Sequence, residues 1–308
     1  MAELSIQLSR IFQGLLALIL LELMNTNFEI GVKVAPHHID WGTLLWAAEY
    51  ADSSPIYSDF WNFDHFYPIY GDTSGPCLES WVTLSAIAQA TSRIRVGCMV
   101  NGVHYRHPAV VANMTSAIDI VSNGRFELGL GAGWNEEESN AYGIALGTLT
   151  ERFDSFDEAV EIILSLTTSE ITSFNRNYFT IAEARNNPKG PQKIIPICIG
   201  GTGEKRTLRT VAKFASHWNL PAFDEDVFKH KLGVLADHCS KEGRNINDIK
   251  ISTHVFVTPE TEPETVFEEI KKQINTGINQ SIIYFQPPVS IDQIKRITEY
   301  LSTSFNQD

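Results

Sequence analysis

Hydrophobic and polar positions follow two alternating patterns along the chain from residue 28 onward. Short apolar runs, rich in β-branched and aromatic residues, predict strands. The predicted strands are residues 28–34, 58–63, 94–100, 125–130, 194–199, 216–220, 248–257 and 282–286. Between most of them, apolar residues recur every three or four positions, which is the spacing of one helical face. This alternation predicts an α/β protein with a parallel sheet.

The helices are predicted from the same periodicity and from their end signals. They are residues 41–52, 79–91, 108–123, 151–166, 226–242, 263–276 and 291–302, together with a helix that follows residue 203 and ends at 215. Pro108 suits the first turn of the third helix, and Gly124 suits the position after its end. Residues 170–174 and 178–181 flank a turn and predict a hairpin outside the main fold.

Eight strand–helix units allow either an open doubly wound sheet or a closed barrel. Eight repeats favour the (β/α)8 TIM barrel, which commonly forms one domain of this length. No low-complexity tract or Pro/Ser-rich linker divides the chain. We therefore expect a single barrel domain over residues 28–308.

The first 27 residues are interpreted as an N-terminal extension. Residues 11–23 are apolar but shorter than the roughly 20 residues that cross a bilayer, so no stable membrane span is expected. They resemble the apolar part of a signal peptide, although no small-x-small cleavage motif follows. We favour a non-native or dispensable extension with Met24 as the native start, and an export signal is the alternative.

Composition narrows the class of protein. Hydrophobic residues make up 43% of the chain and charged residues 20%, which is typical of a globular protein. The net charge of −13 argues against binding to nucleic acid or to anionic membranes. The four cysteines are widely separated, which fits a reducing cytoplasm. We expect no metal site, because the histidine spacing matches no standard ligand pattern. The histidines considered are His37, His38, His104 and His107.

The candidate acid–base group follows the second predicted strand. Reactive groups of (β/α)8 barrels lie at the C-terminal ends of the strands, where this sequence places Asp64 and His65. An imidazole exchanges a proton near neutral pH, so we predict that His65 is catalytic, with Asp64 beside it. A structural histidine at the strand end is the alternative. The acidic run 136–138 is interpreted as the first turn of a helix, where the helix dipole favours negative charge.

A glycine loop after the fifth strand is a candidate phosphate-binding segment. It consists of Gly200, Gly201, Thr202 and Gly203. The helix that follows carries Lys205, Arg206 and Arg209. Free backbone N–H groups, the helix dipole and these cations together favour an anion. A tight strand-to-helix turn is the alternative.

A second glycine-rich segment follows the fourth strand. It consists of Gly131, Ala132, Gly133 and Trp134. Glycines allow a planar ring or its tail to lie close to the backbone. Trp134 is predicted either to stack on a ligand or to pack over the barrel rim.

Several motifs in this order resemble the luciferase-like family of flavin and deazaflavin oxidoreductases. They are residues 63–66 (FDHF), 91–97 (TSRIRVG), 105–109 (YRHPA), 122–134 (SNGRFELGLGAGW), 151–154 (ERFD) and 199–205 (IGGTGEK). The Asp-His pair and the Gly-Ala-Gly-Trp run resemble the branch that uses the deazaflavin coenzyme F420. The resemblance extends from about residue 28 to the C-terminus.

The resemblance implies a coenzyme ring lying over the C-terminal ends of the strands. A bulge at the end of the third strand, at about residues 98–100 and often with a non-proline cis peptide, would press on the ring, so Met99 and Val100 are expected to bind the coenzyme. The coenzyme phosphate would bind the loop at 200–203, and Asp64 and His65 would contact the polar edge of the ring. Sugar-phosphate dehydrogenases of this family carry a glutamate where Trp134 falls, so a sugar-phosphate substrate is not implied.

Three functions remain open from the sequence. The leading hypothesis is hydride transfer between coenzyme F420 and a small organic substrate, with His65 moving the proton. The runner-up is a monooxygenase that uses reduced FMN and oxygen. A non-catalytic coenzyme-binding protein on the same barrel is the third. The resemblance also implies a possible homodimer, whereas the substrate is not identified.

Overall fold

The computed structural model describes residues 28–307, so the predicted extension at 1–27 lies outside the described part. Its strands are β1 (Glu29–Val34), β2 (Asp59–Asn62), β3 (Arg95–Cys98), β4 (Asn101–Gly102), β5 (Phe126–Gly131), β6 (Thr172–Asn175), β7 (Thr180–Ala184), β8 (Ile197–Gly200), β9 (His217–Leu220), β10 (Lys250–Val257) and β11 (Gln280–Phe285). Its helices are α1 (Trp41–Ser53), α2 (Ser80–Ala90), α3 (Pro108–Val121), α4 (Glu136–Ala141), α5 (Leu149–Thr168), α6 (Thr207–Phe214), α7 (Glu225–Lys241), α8 (Pro263–Asn275) and α9 (Ile291–Gln307).

The main sheet closes on itself. Its strands follow the order β3-β2-β1-β11-β10-β9-β8-β5-β4, and β3 also pairs with β5. Every pairing in this sheet is parallel. Because β4 continues β3 after a break, the sheet is an eight-stranded barrel. The predicted (β/α)8 fold is confirmed, and β6 and β7 form the predicted antiparallel hairpin beside it.

The third predicted strand is broken where the resemblance implied a bulge. The single strand predicted over residues 94–100 is two segments, β3 and β4, with a cis peptide bond between Met99 and Val100. After the break the chain rejoins β5, where Asn101 is paired with Leu130. The Asn101 side chain donates a hydrogen bond to the Gly129 carbonyl oxygen at 2.7 Å. This contact ties the displaced segment to β5.

Two other strand boundaries differ from the prediction for reasons of local chemistry. The strand predicted from residue 194 begins at Ile197, after Pro196, because proline has no N–H to donate to a ladder. The strand predicted from residue 282 begins earlier, at Gln280, whose side chain hydrogen-bonds to Asp59 inside the barrel. The polar start of that strand therefore faces a polar interior layer rather than solvent.

The barrel interior is polar at its N-terminal end and mainly apolar above. His217 lies 2.5 Å from Glu127 and 2.7 Å from Ser252, through its two ring nitrogens. Above these groups, Trp61 and Ile282 belong to a fully buried apolar cluster. The larger core lies between the barrel and the helices. No helix among residues 28–307 is long and apolar enough to cross a membrane.

Candidate active site

A cavity of about 430 Å³ opens at the C-terminal ends of the barrel strands. It brings together ten of the twelve predicted site residues: Asp64, His65, Met99, Val100, Gly131, Ala132, Gly133, Trp134, Gly200 and Gly201. The other two, Thr202 and Gly203, do not line it. The strand-end rule therefore locates a real concave site, whose chemistry depends on how its polar groups are paired.

His65 is held by a buried carboxylate. Its Nδ1 lies 2.7 Å from Oε2 of Glu138, and Glu138 is fully buried. A carboxylate accepts a hydrogen bond, so Nδ1 carries a proton in this contact. Nε2 has no hydrogen-bond partner among the residues that the structure describes, and His65 lines the cavity. The ring thus presents Nε2 to a bound molecule.

Glu138 is fixed by two further donors. It accepts a hydrogen bond of 2.5 Å from the Phe66 backbone N–H and another from the Tyr105 hydroxyl. Burial raises the pKa of Glu138, but the hydrogen bonds from His65, Tyr105 and Phe66 outweigh burial, so its pKa is lowered. The carboxylate is therefore ionised near neutral pH, and it orients the His65 ring.

The acidic run that opens α4 makes a contact that the sequence analysis missed. Glu136 and Glu137 are exposed in the first helical turn, as the dipole argument expects. Glu138 in the same turn is buried and reaches His65. Asn135 caps the helix by accepting from the Glu138 backbone N–H at 3.1 Å. A cap followed by three acidic residues is the local signal, but nothing in it identifies the partner 73 positions away.

Asp64 is paired with an arginine rather than with the His65 ring. Arg106 donates to both carboxylate oxygens of Asp64, at 2.5 and 3.1 Å, and to Glu79 at 2.5 Å. Burial lowers the pKa of Arg106, but the two carboxylates outweigh burial and raise it. Burial raises the pKa of Asp64 in spite of Arg106. The short two-point contact with an arginine nevertheless has the geometry of an ion pair, and it holds Asp64 at the second strand end beside His65.

Glycines in and next to the cavity floor make room for protein atoms. A Cβ at Gly129 would overlap the Cys98 carbonyl oxygen, and one at Gly131 would lie 2.8 Å from a Val100 methyl carbon. A Cβ at Gly200 would likewise lie 3.2 Å from a Val100 methyl carbon. The bulge of the third strand thus fits against the barrel wall only because glycines face it. The expectation that these glycines admit a planar ring stays a prediction.

Trp134 lies at the mouth of the cavity. It is 62% exposed, and its ring centroid lies 5.6 Å from that of His65 in an edge-to-face contact. Gly133 before it has φ +82°, a conformation that favours glycine, and a Cβ there would overlap the His104 ring. Trp134 is therefore positioned beside His65, the predicted acid–base group, with most of its surface available for contact.

The charges around the glycine loop at 200–203 are mostly paired. Arg206 forms an ion pair with Asp154, and Arg209 forms one with Asp157 at 2.8 Å. Lys205 is exposed and makes no ion pair within the described part of the chain. Two of the three cations that supported a phosphate site are thus largely neutralised by α5. The anion site remains a prediction that depends mainly on the backbone N–H groups of the loop.

Comparison with known proteins identifies the family. The model of the luciferase-like monooxygenase family matches residues 29–295, and the chain belongs to this family. The resemblance inferred from the motifs is thereby confirmed. The chain is similar to an F420-dependent hydroxymycolic acid dehydrogenase of Mycobacterium tuberculosis, with 32% identity over 60% of this chain and 50% of that protein.

A second relative is an F420-dependent glucose-6-phosphate dehydrogenase of Microbacterium testaceum. It is 28% identical over 68% of this chain and 62% of that protein. The matches thus span less than two thirds of the lengths of these relatives.

Solved structures show the same fold. An F420-dependent secondary alcohol dehydrogenase in complex with an F420-acetone adduct superimposes with a TM-score of 0.80, covering 89% of this chain and 98% of that chain at 18% identity. The long-chain alkane monooxygenase LadA superimposes with a TM-score of 0.72, covering 90% of this chain and 91% of that chain at 15% identity. At these identities the likeness establishes the barrel fold alone.

Proposed function

We propose that the protein is a coenzyme F420-dependent oxidoreductase that transfers a hydride between the deazaflavin and a small organic substrate. The observation that carries this proposal is the His65–Glu138 pair, with Nε2 of His65 facing a cavity at the strand ends. The two F420-dependent relatives support the choice of coenzyme. The proposal includes a cytoplasmic location, in keeping with the four free thiols, and leaves a homodimer as an expectation.

The residues of the site fit a flat polycyclic coenzyme. One side of the cavity floor is formed by Val100, Gly131 and Gly200, so it offers backbone and one branched side chain rather than long side chains. A deazaflavin bound there would supply two-electron hydride chemistry. Its phosphate would bind the loop at 200–203, as the resemblance implies, through backbone N–H groups such as those of Thr202 and Gly203.

His65 would manage the proton in either direction of the reaction. When an alcohol is oxidised, its carbon loses a hydride and its hydroxyl loses a proton, and Nε2 of His65 accepts that proton. When a carbonyl is reduced, the protonated Nε2 returns it. Glu138 stabilises the imidazolium that forms in between, since it is ionised and contacts Nδ1. Glu138 is therefore a positioning residue for His65.

The alternative is an FMN-dependent monooxygenase, which the matching family description and the LadA fold support. In that reaction the cavity must exclude water from a reactive flavin. Phe63, Phe153 and Phe156 line the cavity and would contribute apolar surface to that task. Because both coenzymes suit the same barrel, their binding decides between the two functions.

Turnover tests the proposal. The full chain is incubated without oxygen with oxidised F420 and propan-2-ol, cyclohexanol or benzyl alcohol, or with reduced F420 and cyclohex-2-enone, and the deazaflavin absorbance is followed. We expect turnover with at least one of these compounds and a loss of about 10²- to 10⁴-fold in kcat for His65→Asn. His230→Asn is the control, because the His230 side chain is 63% exposed. Equal turnover by His65→Asn and the wild type would contradict the role given to His65.

A further inference from the structure

Lys33 is a buried cation that forms no ion pair with any residue in the described range 28–307. It lies near the C-terminal end of β1, lines the cavity and is 6% exposed. Within the described chain, no carboxylate or hydrogen-bond acceptor contacts its ammonium group. The ammonium group instead lies over two aromatic rings, 4.7 Å from the centroid of Tyr284 and 5.8 Å from that of Phe63. Burial lowers the pKa of Lys33 to about 8, so it remains mainly protonated at neutral pH. Buried charges are normally paired, so the missing partner points to a ligand.

Two more polar atoms beside Lys33 lack partners. Nε2 of His254 and the hydroxyl of Tyr284 are buried and make no hydrogen bond among residues 28–307. The ring centroids of His254 and Tyr284 are 5.8 Å apart, and Lys33 contributes to lowering the pKa of His254 after burial itself. We call Lys33, His254 and Tyr284 the Lys33 subsite. Lys33 and His254 line the cavity and Tyr284 packs beside them, so the Lys33 ammonium is the group that an oxygen-bearing ligand would contact.

The donors and acceptors of the subsite define the ligand. The Lys33 ammonium donates into the cavity. His254 is neutral and binds the Pro221 carbonyl through Nδ1 at 2.9 Å, so Nδ1 carries the proton and Nε2 accepts. A carboxylate only accepts hydrogen bonds, so it would bind the ammonium and not this nitrogen. A single ammonium matches the single charge of a carboxylate. It is too little to balance the double charge of a phosphate monoester in a buried place.

The subsite and the acid–base group both lie near one aromatic ring, that of Phe63. Phe63 has the Lys33 ammonium 5.8 Å from its centroid and the His65 ring 5.2 Å from it. Ile69 and Tyr70 line the same cavity. A small molecule that lies along Phe63 therefore reaches both polar groups, with an apolar surface beside its middle.

We propose that the Lys33 subsite binds the carboxylate of an organic-acid substrate and so directs the opposite end of the molecule to His65. The proposal rests on the proposed function, because it names the substrate class of the same site. The apolar or aromatic body of the acid packs against Phe63 and Tyr70. Neutral analogues lose the charge interaction and bind more weakly.

Binding of benzoate and of its neutral analogue benzamide tests the subsite. Calorimetric titration of the full chain, without coenzyme, is expected to show tighter binding of benzoate. Lys33→Met removes the charge but keeps a side chain of similar length. We expect it to weaken the binding of benzoate at least tenfold and to leave the binding of benzamide unchanged. Lys33→Arg keeps the charge and should retain the preference. Lys193→Met, at an exposed lysine that neither lines the cavity nor belongs to the glycine loop at 200–203, is the matched control.

The outcomes separate this inference from the proposed function. Equal binding of benzoate and benzamide by the wild type overturns the subsite, whatever the variants do. A second benzoate titration, in the presence of saturating oxidised F420, shows whether the coenzyme itself occupies the Lys33 subsite. Retained benzoate binding supports a substrate subsite, and competitive displacement overturns it. Failure of F420 to bind would contradict the proposed function, yet it would leave a Lys33-dependent preference for benzoate standing.

Discussion

At the scale of single residues, the side chains of His65 and Asp64 are held by partners distant in the chain. Glu138 lies 73 positions from His65, and Arg106 lies 42 positions from Asp64. The barrel-end rule finds His65 and Asp64, because it requires only the strand pattern and residue types with suitable chemistry. It cannot pair side chains from different loops. The assignment of Asp64 to Arg106 and of Glu138 to His65 therefore required coordinates.

Replacement of Glu138 by glutamine tests its effect on His65. Glu138→Gln keeps the size of the side chain but removes the charge that stabilises the imidazolium. We expect kcat to fall by less than in His65→Asn, and the midpoint of the pH–rate profile to move to lower pH. Glu137→Gln is the matched control, since Glu137 is exposed in the same helical turn. A pH–rate profile that is the same in Glu138→Gln as in wild type would contradict the positioning role.

At the scale of elements, the break between β3 and β4 controls the shape of the cavity. The alternating pattern predicts one strand over 94–100, because the apolar run continues through the break. Only the resemblance implied a bulge there. The glycines at 129, 131 and 200 could be recognised as unusual, but their role in receiving Cys98 and Val100 comes from contacts between strands. Element types follow from local pattern, whereas this irregularity follows from packing.

Adding a methyl group at Gly129 tests the fit of the bulge. Gly129→Ala places a Cβ against the Cys98 carbonyl oxygen, so the bulge must shift. We expect the free energy of unfolding to fall by roughly 1–3 kcal/mol, which is typical of overpacking, and coenzyme binding to weaken. Gly233→Ala is the control, because no atom lies within 4 Å of a Cβ there and the site is in α7. Chemical denaturation measures the free energy of unfolding of both variants, and titration with the coenzyme measures binding. Equal stability of Gly129→Ala and wild type would contradict the account.

At the scale of the whole molecule, buried neutral histidines make the fold sensitive to acid. Burial lowers the pKa of His37 and of His104 to about 4, and that of His254 to about 3. The ordinary histidine value is 6.5. As the pH falls below 6.5, the unfolded chain takes up protons before the folded chain does. Stability is therefore complete above pH 6.5 and is lost progressively towards pH 4.

His37 is the variant site for this prediction, because it is fully buried and both of its ring nitrogens lack partners in the described structure. The lowered pKa of His37 corresponds to a loss of unfolding free energy on the order of 3 kcal/mol between pH 6.5 and pH 4. His37→Phe should flatten the dependence of the unfolding free energy on pH in this window. His230→Phe, at an exposed site, should leave it unchanged. A wild-type protein equally stable at pH 7 and pH 4.5 would contradict the prediction.

The barrel architecture could be predicted from the sequence because eight repeats of one pattern leave few alternatives. The cavity floor could not, because its members come from many strands. Lys33 is an example: in the sequence it is one lysine within the apolar run of β1, and only the closed barrel places it beside His254 of β10 and Tyr284 of β11. Closure converts distant positions into one site.

The most direct test of the account is a titration of the full chain with oxidised F420 and, separately, with FMN, followed by protein fluorescence. Trp134 stands at the mouth of the cavity and would report occupancy. We predict tight binding of F420 and weak or undetectable binding of FMN. Preference for FMN would favour the monooxygenase over hydride transfer to a deazaflavin. Binding of neither by the folded protein would contradict the assignment of a coenzyme site to this cavity.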